Sequence, residues 1–316
     1  MLTPDWRDGR ARRHFSRLYV SAIEHPCVLA GGRFAKDRIA VFPVDRDGVA
    51  DLAALRQLLG AHDSGEGDPL VALMFANNET GVIQPVAEAA ELAHEFGGLL
   101  LVDAVQAFGK AAFEPAQLGA DAVIVSAHKV GGPQGAGALA VCHPGLEPVA
   151  LLTGGGQETF HRAGTENVAA IAGFGAAAAQ IGEIIAKTDE VLALRDWLEA
   201  ELNTISKGTG APAPVVFGAR ASRLPNTACF AVTGVKAETA LIALDLAGVA
   251  VSSGSACSSG KVRKSHVLAA MGFDDRLSAA AIRVSIGIDT TRDEIGRFLS
   301  AWRDIIGRLA ATSAAA

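Results

Sequence analysis

Hydrophobic and polar positions follow two alternating patterns along the first 185 residues. Short apolar runs typical of buried strands are separated by segments with the 3.6-residue spacing of amphipathic helices. The predicted strands are 18–23, 70–76, 99–102, 122–125 and 135–141. The predicted helices are 51–59 and 85–96. Strands that alternate with helices predict an α/β domain with a mixed, mostly parallel sheet under helical cover.

The pattern changes in the second half of the chain. A long helical stretch from about residue 166 to 205 is followed by two predicted strands, 227–232 and 282–286. Helices are predicted at 237–246, 266–271 and 293–309. We therefore expect a large domain over 1–185 and a smaller α+β domain over 186–316. The Ala- and Gly-rich stretch 167–182 is too short for a membrane span and favours a packed helix.

Composition and charge narrow the function classes. Hydrophobic residues make up 50% and charged residues 20% of the 316, which predicts a folded chain. The 28 Lys and Arg against 34 Asp and Glu give a net charge of −6, which argues against nucleic-acid or membrane-surface binding. The five arginines within residues 7–17 are expected in a surface loop. The 35 glycines indicate tight turns or close backbone approaches to a ligand.

The cysteines show neither a disulfide scaffold nor the spacing of a metal site. The four are Cys27, Cys142, Cys229 and Cys257. They form no CxxC pair, and a chain with so few suits the reducing cytoplasm. Cys27, Cys142 and Cys229 lie in or beside apolar segments, so we expect them to be packing residues.

Polar clusters directly follow three of the predicted strands. They are the turn 77–80, Asp103 and the run 126–129. Ligands of open α/β sheets bind at the carboxyl ends of the strands. The clusters therefore predict a site at that edge of the sheet.

Lys129 and Asp103 are the first candidates for chemistry. Lys129 stands between an apolar strand and a glycine pair, and a lysine among apolar groups suits Schiff-base formation. Asp103 can cap the following helix, or it can hold a protonated pyridine nitrogen. A lysine with such a partner is the minimal equipment of an enzyme that uses pyridoxal 5'-phosphate (PLP).

Two further residues each allow two interpretations. Cys257 lies in the Ser- and Gly-rich segment 252–260, with Lys261 and Arg263 downstream, where positive charge favours a reactive thiolate. The alternative is an incidental loop cysteine. Arg283 lies inside a predicted strand and needs a partner, which is either an internal carboxylate or the carboxylate of a substrate.

The motifs taken together resemble the NifS/IscS-type cysteine desulfurases of the class V aminotransferase family. They occur in the family's order from residue 18 onward. The matching segments are 24–26 (EHP), 77–81 (NNETG), 102–106 (VDAVQ), 126–129 (SAHK), 162–165 (RAGT), 252–260 (SSGSACSSG) and 282–285 (IRVS).

The resemblance implies a PLP-dependent fold-type I homodimer that removes sulfur from L-cysteine, leaving alanine and a persulfide on Cys257. An iron–sulfur scaffold or another sulfur-acceptor protein would then take the sulfur. In this resemblance Lys129 would attach the cofactor, and His25 would stack on its ring and transfer protons. Asp103 would pair with the protonated pyridine nitrogen. The resemblance further implies that Asn78 and Gln106 contact the ring hydroxyl and that Ser126 and His128 bind the phosphate. Thr165 would bind the phosphate held by the other subunit, and Arg283 would bind the substrate carboxylate.

The sequence departs from the family near its start. Relatives carry a Gly-Ala-Thr-Glu turn before the histidine motif, and its helix N-terminus binds the cofactor phosphate. This sequence has no such turn and begins 24 residues before His25. We therefore expect an N-terminally truncated large domain. The alternatives are another class V enzyme, such as a selenocysteine lyase or aminotransferase, and an inactive form that keeps the fold and binds PLP poorly.

Overall fold

A computed structural model describes residues 2–254 and 264–314 and divides the chain into two compact units. The first comprises Met1–Val44, Ala50–Ala76 and Gln84–Ile185. The second comprises Asp45–Val49, Asn77–Ile83 and Ala186–Ala316. The second unit thus begins at 186 but also includes two short segments that the sequence analysis assigned to the large domain.

Backbone pairing explains why the second of these segments leaves the first unit. Val82 forms an isolated antiparallel bridge with Arg223, and the Leu224 N–H donates to the Gly81 carbonyl at 2.8 Å. Gly81 has a φ of +77°, a left-handed conformation that glycine adopts without strain. Sequence patterning does not register such pairing between distant segments.

The first unit is built on an eight-stranded mixed sheet in the order β7-β6-β5-β4-β2-β1-β8, with β3 paired to β2. Four central pairs, β3/β2, β2/β4, β4/β5 and β5/β6, are parallel. The strands are β1 (Asp5–Asp8), β2 (Ala11–Ser21), β3 (Ile39–Phe42), β4 (Asp68–Met74), β5 (Leu99–Asp103), β6 (Ala122–Ser126), β7 (Gly137–Val141) and β8 (Leu146–Pro148). The predicted α/β class is confirmed, and the central strands are apolar because both their faces are covered.

The arginine-rich start is a β-hairpin, so the predicted surface loop is wrong. β1 pairs with the beginning of β2 around a turn at Gly9, whose φ is +60°. Trp6 and Phe15 are buried and meet edge to face, with ring centroids 6.2 Å apart. Arg12 pairs with Asp5 at 2.8 Å, so the cationic side chains remain at the surface. The apolar residues between the charges therefore supply the strand pattern.

The helices of the first unit are α1 (Pro26–Leu29), α2 (Leu52–Gly60), α3 (Val86–Glu95), α4 (Val168–Ala179) and α5 (Ile181–Ala186). α2 and α3 match the predicted helices. The long helical stretch is divided, because α4, α5 and the first helix of the second unit, α6 (Thr188–Thr209), are separate.

α4 does not pack as the sequence analysis expects. Of its twelve residues only Ala170 is buried, and Val168 is 69% exposed. The 19-residue stretch Val168–Ala186 has a mean hydropathy of 1.6, so the expectation that it is too short for a membrane span is wrong by length and composition, and 6% of it is buried. Apolar helices of soluble proteins meet the same criterion, so this composition decides nothing about a membrane.

The second unit packs helices against a four-stranded antiparallel sheet in the order β11-β12-β10-β9. Its strands are β9 (Val215–Val216), β10 (Thr227–Ala231), β11 (Ser252–Ser253) and β12 (Ile282–Ser285). Its further helices are α7 (Ala237–Leu246), α8 (His266–Ala270), α9 (Asp275–Ala279) and α10 (Arg292–Ala314). The core includes Phe230, Phe298 and the fully buried Trp302. This α+β arrangement agrees with the predicted pattern.

Candidate active site

Asp103 is the buried carboxylate at the carboxyl edge of the first unit's sheet. It ends β5, pairs in register with Met74 of β4 and Ile124 of β6, and is 7% exposed. Its Oδ1 accepts a hydrogen bond of 2.9 Å from the Val105 N–H. Burial raises the pKa of the Asp103 carboxyl above its ordinary value, while the Val105 N–H and the His25 ring partly offset this effect. Within residues 2–254 and 264–314, Asp103 forms no ion pair.

Glu24 and His25 follow the end of β2 at the same edge. Glu24 is fully buried, and its Oε1 accepts a hydrogen bond of 2.7 Å from the Met74 N–H at the end of β4. Burial raises the pKa of Glu24 well above its ordinary value, and the Asp103 charge adds to this increase. Glu24 thereby joins the β2–α1 loop to β4. Sequence reasoning gave it no role, although a carboxylate between Ile23 and His25 was a usable signal.

His25 caps α1 and lies beside a thiol. Its Nδ1 accepts the Cys27 N–H at 3.3 Å, and the Cys27 Sγ lies 2.9 Å from the same nitrogen. Cys27 is exposed, so its predicted role as a packing residue is wrong. Cys142 is half-buried, whereas Cys229 is buried as expected. His25 lies close enough to Asp103 for a positive charge on its ring to lower the pKa of Asp103, so the structure brings these two predicted residues together.

The last residue of β6 and the turn after it carry the predicted phosphate ligands and the lysine. The Ser126 Oγ lies 2.8 Å from His128 Nδ1. A 3₁₀ turn over Ala127–Lys129 follows, anchored by the buried Ala127. Lys129 is exposed in the described chain, so the expectation that it lies among apolar groups is wrong. The reason is that β7, which follows the glycine pair, is an exposed edge strand and offers no wall.

Gln106 and Thr165 also belong to the first unit. Gln106 Oε1 accepts a hydrogen bond of 3.0 Å from Lys110 Nζ. Thr165 is exposed, and its carbonyl lies 3.4 Å from Arg162 Nη1. Neither contact tests the roles that the resemblance implies for these two residues.

Asn78 and Arg283 meet in the second unit. Arg283 Nη1 donates to the Asn78 carbonyl at 2.8 Å, and Nη2 lies 3.4 Å from the Ser252 Oγ. The Arg283 Nε is buried and has no hydrogen-bond partner among the described residues. Within the same ranges no carboxylate pairs with Arg283, so the internal salt bridge is not formed there. The guanidinium is thus available for a carboxylate from outside the chain.

Hydrogen bonds from neighbouring residues stabilise the turn that contains Asn78. Asn77 Oδ1 accepts the N–H groups of Glu79 at 2.9 Å and Thr80 at 3.0 Å. Glu79 is buried and accepts a hydrogen bond from the Ser265 hydroxyl, which also caps α8. Burial raises the pKa of Glu79 to about 7, against the opposing effects of Ser265 and Arg283. Sequence reasoning missed this group because nothing in the sequence pattern showed that Glu79 is buried.

Cys257, the predicted persulfide residue, lies outside the described residues. Its role is therefore a prediction that no geometry in the structure tests.

Comparison with known proteins agrees with the motif pattern. The family model for class-V aminotransferases matches residues 12–298. A cysteine desulfurase of Cereibacter sphaeroides is 40% identical over 302 residues, covering 94% of this chain and 74% of that protein. The cysteine desulfurase NifS of Azotobacter vinelandii is 35% identical and covers 95% of this chain and 73% of its own length. The chain therefore spans about three quarters of these relatives.

A solved structure shows the same fold. The NifS-like protein from Rickettsia africae ESF-5 superposes with a TM-score of 0.79 at 32% identity. The match covers 92% of this chain and 75% of that structure.

Glu79 makes the stability of the second unit pH-dependent. Its pKa is raised from 4.5 to about 7, so the folded chain binds this proton more tightly than the unfolded chain does. The free energy of unfolding should therefore fall as the pH rises from about 4.5 to about 7. Glu79→Gln lacks the titrating carboxyl and should not lose stability in this way. Above about pH 7 its free energy of unfolding should exceed that of the parent protein by up to about 3 kcal/mol. Urea unfolding at pH 5 and pH 8 measures the difference.

Glu88→Gln, at an exposed position of α3, is the matched control and should leave the pH dependence unchanged. If Glu79→Gln unfolds with the same pH dependence as the parent protein, the buried Glu79 is not the titrating group.

Proposed function

Because the chain belongs to the class-V aminotransferase family, we propose that it is a PLP-dependent cysteine desulfurase that converts L-cysteine to L-alanine and bound sulfur. The observation that carries the proposal is the buried Asp103 carboxylate, which has no ion-pair partner among the described residues. A protonated pyridine nitrogen is a cation that would balance this charge.

The described residues of the first unit fit the cofactor. Asp103 would hold the protonated ring nitrogen, and the adjacent His25 would stack on the ring. The Ser126 hydroxyl and the His128 ring, which already contact each other at 2.8 Å, would bind the phosphate. Exposed Lys129 would attach the cofactor through Nζ. When bound, the cofactor supplies an electron sink for the bonds to the substrate's carbons.

The remaining assignments concern the substrate and the sulfur. Arg283 would hold the L-cysteine carboxylate, because its Nε is buried without a hydrogen-bond partner among the described residues. Gln106 would contact the ring hydroxyl, a role that the resemblance also gives to Asn78. The Cys257 thiolate would attack the substrate sulfur, so that an S–S bond forms as the substrate's C–S bond breaks. The electron pair of the broken bond remains on the carbon, which takes up a proton to give alanine.

Assembly and partners follow from the same proposal. A homodimer would bring Thr165 of one subunit to the phosphate bound by the other. The Cys257 persulfide would pass to a sulfur-acceptor protein such as an iron–sulfur scaffold, in the cytoplasm. Exposure of Thr165 supports its availability to a second subunit.

Covalent attachment of the cofactor tests the site directly. PLP titrated into the protein should produce a visible absorbance band, and borohydride reduction followed by peptide mapping should place the label on Lys129. Lys129→Ala should lose the band, because no other amine is expected at the site. Lys187→Ala, at an exposed N-cap of α6, is the control and should retain it. Absence of a band in the parent protein even at excess PLP would favour an inactive relative that keeps the fold.

Removal of the sulfur nucleophile tests the reaction. With dithiothreitol present to reduce the persulfide to sulfide, Cys257→Ser should lower the rate of alanine and sulfide formation from L-cysteine by at least about 100-fold, since the attacking thiolate is lost. The half-buried Cys142 offers a control, because Cys142→Ser should react at the parent rate. Sulfide release at the parent rate by Cys257→Ser would contradict the desulfurase assignment and favour another class V reaction.

A further inference from the structure

The hydrogen bonds around His25 determine which ring nitrogen carries the proton. The Cys27 backbone N–H lies 3.3 Å from His25 Nδ1, and a backbone N–H can only donate. Nδ1 must therefore present its lone pair. In the neutral ring the proton is then on Nε2.

The Cys27 side chain contacts the same nitrogen. Its Sγ lies 2.9 Å from Nδ1, and a sulfur that contacts an accepting nitrogen must supply the hydrogen. A thiolate would instead place two electron pairs against each other. The contact therefore requires a protonated thiol.

The surroundings of Cys27 keep the thiol in this form. Partial burial raises the pKa of Cys27 above its ordinary value, and the Asp103 charge raises it further. The N–H groups of Cys27 and Val28 lower it by less. The thiol thus remains a donor at neutral pH.

We infer that Cys27 is a positioning residue for His25, whose thiol and backbone N–H together hold Nδ1 as an acceptor and leave the proton on Nε2. The inference rests on the proposed function for its catalytic meaning, while its geometry is independent of that function.

This arrangement is the reverse of the carboxylate–histidine pair in hydrolytic triads. There a carboxylate accepts from Nδ1–H, and the lone pair on Nε2 makes the ring a base. Here two donors share the single lone pair of Nδ1, so the proton of neutral His25 is on Nε2. The structure therefore assigns His25 the role of a proton donor at that atom in its neutral state.

The tautomer is measured by nitrogen NMR on protein labelled with ¹⁵N-histidine, with the His25 signals identified by their loss in His25→Gln. The expected spectrum has Nε2 protonated and Nδ1 unprotonated. In Cys27→Ala the Nδ1 signal should move toward that of a nitrogen that accepts one hydrogen bond fewer. Cys27→Ser, which keeps a hydroxyl donor, should restore most of the shift. Cys142→Ala should leave the His25 signals unchanged.

Two spectroscopic results would overturn the inference: a protonated Nδ1 in the parent protein, or a His25 Nδ1 signal unaffected by Cys27→Ala. In desulfurase assays Cys27→Ala should lower kcat about fivefold at unchanged KM, the effect of one hydrogen bond, and Cys27→Ser should recover it. Equal losses of kcat in both variants would contradict a donor role. If no variant and no parent protein is active, the proposed function fails, and the NMR result still decides the tautomer.

Discussion

A carboxylate buried at the end of a parallel strand is the constraint on which the first unit's site depends. Asp103 is fixed there because β5 pairs on both sides with strands whose side chains are almost all apolar. Asp103 is only 7% exposed, so water solvates its charge poorly, and the hydrogen bond from the Val105 N–H compensates only in part. The adjacent Glu24 reduces the like-charge repulsion, because its own raised pKa favours the neutral acid. The site is thus prepared for a cation at one position.

The strands and their terminal polar residues were predictable because burial on both faces produces continuous apolar runs, and ligands bind where such strands end. The exposure of single side chains and their ion-pair partners could not be predicted in this way. Lys129 is exposed because the neighbouring β7 is an edge strand, a property of sheet order that spacing does not encode. The hairpin before residue 21 was hidden by its arginines, whose charges are matched by acids from other segments, such as Asp68 for Arg13.

In the second unit, too, contacts between residues far apart in the sequence could not be predicted. The strands β10 and β12 and the helices α7, α8 and α10 lie where the sequence pattern predicts them, whereas β9, β11 and α9 were not predicted. Burial, however, raises the pKa of Glu79 to about 7, and the hydrogen bond from the Ser265 hydroxyl, 186 positions later, opposes this increase. The contact between Arg283 and the Asn78 carbonyl likewise joins residues 205 positions apart. Such long-range contacts determine the electrostatics of the candidate residues, and a single sequence does not contain them.

The most direct test of this account compares the parent protein with Asp103→Asn, using urea unfolding without and with PLP. Asparagine keeps an acceptor for the Val105 N–H and removes the buried charge. The account predicts that Asp103→Asn is more stable than the parent without PLP and gains less stability from PLP, because ligand stabilisation follows affinity. A variant that is no more stable without PLP and gains as much from it would contradict the assignment of Asp103 to the cofactor's cation.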